Sequence, residues 1–246
     1  MKTASFGRIV FGASAVLFGV ICLMWHDADT WQYLSRLWKL PLGTTIGGCL
    51  MVAQIVGGLF LAYPRSARIA SIILGIVYVL FSLLGIPPIV AAPRVAGEYF
   101  GFFEQFCLLC GAIAVCASTE TSATRATAFG RIARIGLGLS AVWFMLGQAL
   151  FLAQTASLVP AWMPPNQMFW AVLTTVAFGL AAIALLANIQ ARLATRLMTA
   201  MLVIFGVIVW IPLLIAHPAA HGNWSEFALT ALIAGASWTV AELRSL

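Results

Sequence analysis

Charge is what this chain has least of: 8% of its 246 residues are Asp, Glu, Lys or Arg, against 63% apolar residues. A soluble domain carries about 25% charged residues. Thirteen basic and seven acidic side chains cannot cover a water-facing surface of this size, so the chain belongs in a bilayer. From 135 to 191 there is no charge at all. Histidine is missing from the apolar runs, which excludes a bis-His haem within the membrane. Cysteine is missing from the whole second half. Phosphate-binding loops, nucleophile triads and haem attachment motifs are absent. No loop is long enough for an extramembrane domain, so any chemistry occurs within the bilayer, at its faces or on a partner. No small-x-small cleavage pattern follows the first apolar run, which therefore reads as a helix and not as a signal peptide.

Eight apolar runs can be read, roughly 7–25, 42–63, 69–92, 100–118, 133–154, 167–187, 197–216 and 225–241. Most reach the ~17–25 residues that a spanning helix needs. The net charge of +6 follows from membrane sidedness and carries no nucleic-acid signal. Lys2, Arg8, Arg65, Arg68, Arg125, Arg131, Arg134, Arg192, Arg196 and Arg244 fall at ends that share one side; only Arg36, Lys39 and Arg94 fall on the other. The positive-inside rule then puts both termini in the cytoplasm of an inner (plasma) membrane protein.

The chain is also written twice. Phe6-Gly7-Arg8-Ile9 returns as Phe129-Gly130-Arg131-Ile132, Trp38 and Pro41 answer to Trp162 and Pro165, and Ile86-Pro87 answers to Ile211-Pro212. Such a period means one structural unit used twice. The repeats are 1–119 and 129–246, joined by the polar linker 120–128. Each holds an even number of spans, so the halves share their orientation and relate by an axis along the membrane normal. The expected fold is all-α, with eight transmembrane helices as two parallel-related four-helix bundles.

Proline near the outer end of the third run in each half, Pro87-Pro88 and Pro212, predicts a kink or stop there. The outer loop from Asp27 to Pro41 places Trp31, Tyr33, Leu34, Leu37 and Trp38 at helical spacing, which predicts an interfacial helix lying on the outer leaflet. The second half has the proline-rich Leu158 to Pro165 instead, which predicts ordered, extended backbone.

The Phe-Gly-Arg-Ile opening, the Val159-Pro160-Ala161-Trp162-Met163-Pro164 turn, the His217-Pro218 exit and the run from Trp224 to Ala241 together resemble the DoxX-like membrane proteins. The match covers the second half more fully than the first, whose Val-Pro-x-Trp turn is replaced by the Trp-bearing loop. The resemblance implies a four-helix bundle per repeat, and some relatives are membrane subunits of quinone or thiol redox systems. No catalytic residue set carries over by motif.

Chemistry concentrates in the first half. Cys107 and Cys110 form a C-x-x-C within one helix, where the two Cα atoms lie within disulfide range. Glu104, three residues earlier, shares a face with Cys107, and a carboxylate inside a bilayer costs a few kcal/mol unless paired or neutral. The redox reading is a dithiol exchanging electrons between a quinone and an external thiol partner, with Glu104 handling protons. Bundles of the vitamin K epoxide reductase type place a C-x-x-C comparably, but their additional loop cysteine pair is missing here. The structural reading is two small buried residues, without the helix-end dipole that activates thioredoxin-type pairs, and an interfacial acid reaching water or Arg94. His26, His217 and His221 gather on the outer side with Asp27, Asp29, Glu98 and Glu226, but Pro218 argues against a regular helical ligand pair, and no metal site is expected.

The expected function is a membrane subunit or a bundle binding a hydrophobic ligand, quinone or lipid, with no soluble catalytic domain. The alternatives are a thiol–quinone oxidoreductase subunit using Cys107 and Cys110 with a membrane or periplasmic redox partner, and a small-molecule transporter at the seam between repeats.

Overall fold

The computed structural model describes residues 5–243 and is helical throughout, without strands among the described residues. Lys2 and Arg244 of the sidedness argument lie outside them. Fourteen pieces follow in order: α1 Phe6–Trp25, α2 Ala28–Trp31, a 3-10 segment Gln32–Lys39, α3 Gly43–Leu61, α4 Ala67–Leu84, α5 Ile86–Ala91, α6 Gly97–Thr119, α7 Ala123–Leu150, α8 Leu152–Leu158, α9 Gln167–Ala187, then α10 Ala191–Phe205 running through a π turn Gly206–Trp210 into α11 Ile211–Ala216, and α12 His221–Ala241. Seven helices are long and apolar enough to cross a membrane. This makes the chain an all-α, multi-pass membrane protein. The helix α12, 21 residues long, is not among the seven. It packs against α1, α6 and α10, and a helix sheltered by protein needs less apolar surface than one facing lipid.

The long helices pack in chain order: α1 on α3, α3 on α4, α4 on α6, α6 on α7, α7 on α9, α9 on α10 and α10 on α12. Then α12 returns to α1, closing the ring, and α6 crosses the middle to meet α12. Small residues permit this closeness. A Cβ at Gly12 would sit 2.5 Å from the Gly58 carbonyl oxygen, and one at Gly58 would sit 2.5 Å from that of Gly12, so α1 and α3 meet backbone to backbone. Gly111 of α6 likewise faces Ala236 of α12, and Gly235 faces the Phe11 backbone.

The prolines act as expected. Pro87 lies in the first turn of α5, just after Gly85, and Pro212 in the first turn of α11, just after the π turn that interrupts the α-helical pattern. Both helices end in the same backbone corner, Ala92 at φ −138°, ψ 64° and His217 at φ −133°, ψ 63°. Six residues beyond the proline that follows, an aromatic side chain closes each corner: the Tyr99 hydroxyl donates to the Pro93 carbonyl at 3.0 Å, and the Trp224 indole N–H to that of Pro218 at 3.0 Å.

The loop that begins at Asp27 is helical from Ala28 to Lys39, as its spacing suggests, but its apolar face is covered by protein. It folds into the bundle: Trp31, Leu34 and Leu37 are all buried. The Trp31 indole donates to the Cys22 carbonyl at 2.7 Å, and the Tyr33 hydroxyl to the Phe81 carbonyl at 3.2 Å. Arg36 pairs with Glu98 at 2.9 Å, fixing the loop to the first turn of α6. The second outer loop runs non-helically from 159 to 166 and leaves Trp162 74% exposed. Trp162 therefore does not enter the second half as Trp31 enters the first.

Candidate functional site

The first outer loop is strapped to α12 by three polar contacts. The Asp27 carboxylate caps α2, accepting from the Thr30 N–H at 2.8 Å and the Thr30 hydroxyl at 3.0 Å, and its other oxygen lies 2.6 Å from His221 Nδ1. Partial burial works upward on this carboxyl, but His221 and the two Thr30 donors outweigh it and hold Asp27 below its ordinary value. Trp25 stacks on the His221 ring at 4.5 Å. Deeper, the Ser225 hydroxyl donates to the Thr30 carbonyl at 2.8 Å, and the Gln32 amide to Glu226 at 2.9 Å.

This strap brings Glu226 to Glu104. The two carboxylates come from α12 and α6 where these helices cross, close enough for their charges to interact, and Tyr33 lies beside Glu104. Both acids are half-buried. Glu104 makes no hydrogen bond or ion pair among the described residues, to Arg94 or to any other group.

Cys107 and Cys110 are both wholly buried, free thiols. Glu104 and Cys110 both act electrostatically on Cys107, so the three residues singled out by sequence form one neighbourhood. Cys110 fills the notch left by Gly136 of α7, where a Cβ would lie 2.3 Å from its sulfur. With no exposed surface, neither thiol is open to attack by an external dithiol, which exchange requires. Cys22 is also buried and donates to the Thr30 carbonyl at 3.5 Å; Cys49 is exposed and Cys116 half-buried. Among the described residues no group of His, Cys, Asp and Glu is arranged to hold a metal ion.

The burial pattern around the acids is unusual. A helix in a bundle has a sealed face, and α1, α3 and α4 each show one. The C-terminal part of α7 does not: every residue from 142 to 148 is only half-buried. The same holds for 99 to 104 of α6, for 208 to 210 of the π turn and for 221 to 224 of α12. None of these stretches holds a fully buried residue, although Tyr99 and Phe103 of α6 stack on Trp143 of α7 at 4.4 and 5.2 Å. On α7, Gln148 accepts from the hydroxyls of Thr174 and Thr175 at 3.1 and 3.2 Å, and Phe144 packs edge-on to Phe178 of α9 at 5.5 Å. Across from them the Trp210 indole donates to Thr230 of α12 at 2.9 Å. π turns inside helices occur often at functional sites.

Sequence reasoning had Glu104 and the cysteines but not Gln148 or the role of Glu226. Signals existed for both: Gln148 is an amide inside the uncharged stretch, and Glu226 is the acid within the last apolar run. Comparison of the chain with protein-family models, curated proteins and solved structures finds no match.

Proposed function

We propose that this protein is a membrane-embedded bundle that binds a hydrophobic ligand of the quinone or lipid class at its outer end, where α6 meets the second repeat. One observation carries the reading: residues 99–104 of α6, 142–148 of α7, 208–210 of the π turn and 221–224 of α12 are all only partly buried, whereas Trp31, Leu34 and Leu37 are buried in the first half. An apolar ring or tail would lie against Phe144 and Phe178. A carbonyl or hydroxyl head would meet Gln148 and the Glu226 carboxyl. Ligand sites of this kind are mostly apolar with few polar groups that fix orientation.

The surrounding architecture is read as eight spans in two fused four-helix units of DoxX-like type, with both termini cytoplasmic in an inner membrane. The matched corners at Ala92-Pro93 and His217-Pro218 support one unit used twice. The length of α12 supports counting it as the eighth span. A reporter fused after Leu246 that proves external would overturn the orientation.

The binding reading is tested by purifying the chain in mild detergent, extracting it with organic solvent and identifying lipophiles by mass spectrometry. A short-chain quinone is then titrated while tryptophan fluorescence is followed. Saturable quenching that Gln148→Leu weakens supports the site. Linear, unsaturable quenching together with an empty extract would sink it.

A further inference from the structure

At the opposite end of α7 lies a second site, independent of the first. Arg131 and Arg134 line a cleft of about 90 Å³ with Thr127 and Asn188. Arg134 is buried. Its Nη1 donates to the carbonyl of Leu185, with Leu186 at 3.5 Å, so the guanidinium is anchored on the C-terminal end of α9. A helix C-terminus carries partial negative charge and holds a cation well. Asn188 sits just beyond in a left-handed conformation at φ 56° and caps the same helix through its backbone N–H. The Thr127 hydroxyl is spent on the Ala123 carbonyl, so it lines the cleft without donating into it.

The two arginines act on each other as like charges, and no acid among the described residues pairs with either. The inner-side carboxylates are engaged elsewhere: Glu120 lies 3.3 Å from Arg68 and 3.4 Å from Arg125, while Glu242 accepts from the Gly7 N–H at 3.2 Å and the Trp238 indole at 2.9 Å. Next to the cleft, Ala123, Thr124, Thr127 and Ala128 leave a shallow, mostly apolar groove along α7 that also reaches Arg131. Two cations with no acidic partner among the described residues, one buried and one exposed, beside an apolar groove, match an amphiphile with an anionic head. Basic pockets between spanning helices take phosphate-bearing headgroups in this way.

We infer that the Arg131–Arg134 cleft binds a phosphate group, the chemistry shared by an anionic phospholipid head and free phosphate. Arg134 sets the position and Arg131 supplies the mobile contact. The apolar groove favours the lipid as the source.

The test uses the full chain in nanodiscs of phosphatidylcholine doped with phosphatidylglycerol, with retained lipid counted by native mass spectrometry. In a second arm, inorganic phosphate is titrated into undoped nanodiscs while the thermal midpoint is read. The variants are Arg131→Gln, whose side chain is exposed, and Arg196→Gln, an exposed arginine outside the cleft. The wild type is expected to retain phosphatidylglycerol, Arg131→Gln to retain about fivefold less, as befits one basic residue at a charged surface, and Arg196→Gln to behave as wild type. A midpoint raised by phosphate alone and lost in Arg131→Gln assigns the same cleft to the free ion. If Arg131→Gln keeps its lipid and phosphate shifts nothing, or if Arg196→Gln loses as much as Arg131→Gln, the site does not exist.

Discussion

The indole of Trp31 rests on Gly47, where an added Cβ would come within 2.5 Å of the ring. The loop that closes the first half therefore depends on a missing side chain in α3. Gly47→Ala is expected to destabilise the protein by about 1–3 kcal/mol, the usual cost of overpacking. Gly48, the next residue, has open space around its Cβ position. Gly48→Ala is expected to be neutral or to stabilise by about 0.5–1 kcal/mol through helix propensity. Thermal unfolding in detergent compares them; equal midpoints for the two variants would mean that Trp31 is not seated there.

The strap between the two halves should loosen in acid. Asp27 is held below its ordinary value in the folded chain, so it binds protons less readily than in the unfolded one. Its contribution is present above the unfolded value of about 3.9 and is lost as pH falls through the folded value. The pair with His221 is about one-third exposed, which keeps the effect modest. Thermal midpoints measured from pH 6 down to pH 2 should fall more steeply for wild type than for Asp27→Asn; parallel curves would leave Asp27 without this role.

Cysteine labelling should sort the thiols by burial. In folded protein, a maleimide should modify Cys49 and Cys116 ahead of Cys107 and Cys110. After denaturation without reductant, both buried residues should titrate as thiols. Their failure to label until reductant is added would mean a disulfide and would restore the dithiol–quinone reading.

Glu104 and Glu226 bring two carboxylates together inside a bilayer, where each is expensive. Glu104→Gln keeps the shape and removes the ionisable group. The expected result is a higher thermal midpoint with unchanged secondary structure, since Glu104 gives up no hydrogen bond. If the pair serves a bound ligand, the same variant should also lose co-purifying lipophile, the exchange of function for stability common at active positions. A lower midpoint would show that the ionised carboxylate supports the fold.

Much of the fold was readable because lipid imposes a simple demand: about twenty apolar residues per crossing and no unsatisfied backbone. The helices and the proline breaks before α5 and α11 follow from that. What lay beyond reach was partnership. The spacing of Trp31, Leu34 and Leu37 shows that the loop has one apolar face, but nothing in it says whether lipid or protein covers that face. For the same reason α12 reads as a weaker span than it is long, because its shelter comes from α1 and α6 far away in the chain. Glu104 stood out alone in the sequence; its companion Glu226 arrives only through the crossing of α6 and α12, and Gln32 only through the folded loop.

The contact between α1 and α12 also sets an order of events at the ribosome. Helix α1 packs against α12, so α1 waits in the membrane, its Gly7 and Phe11 faces uncovered, until α12 has been made. Pairings this distant in sequence form late. A chain cut short anywhere before α12 would leave that surface open to whatever neighbour the membrane offers, and quality-control proteases would meet it first there.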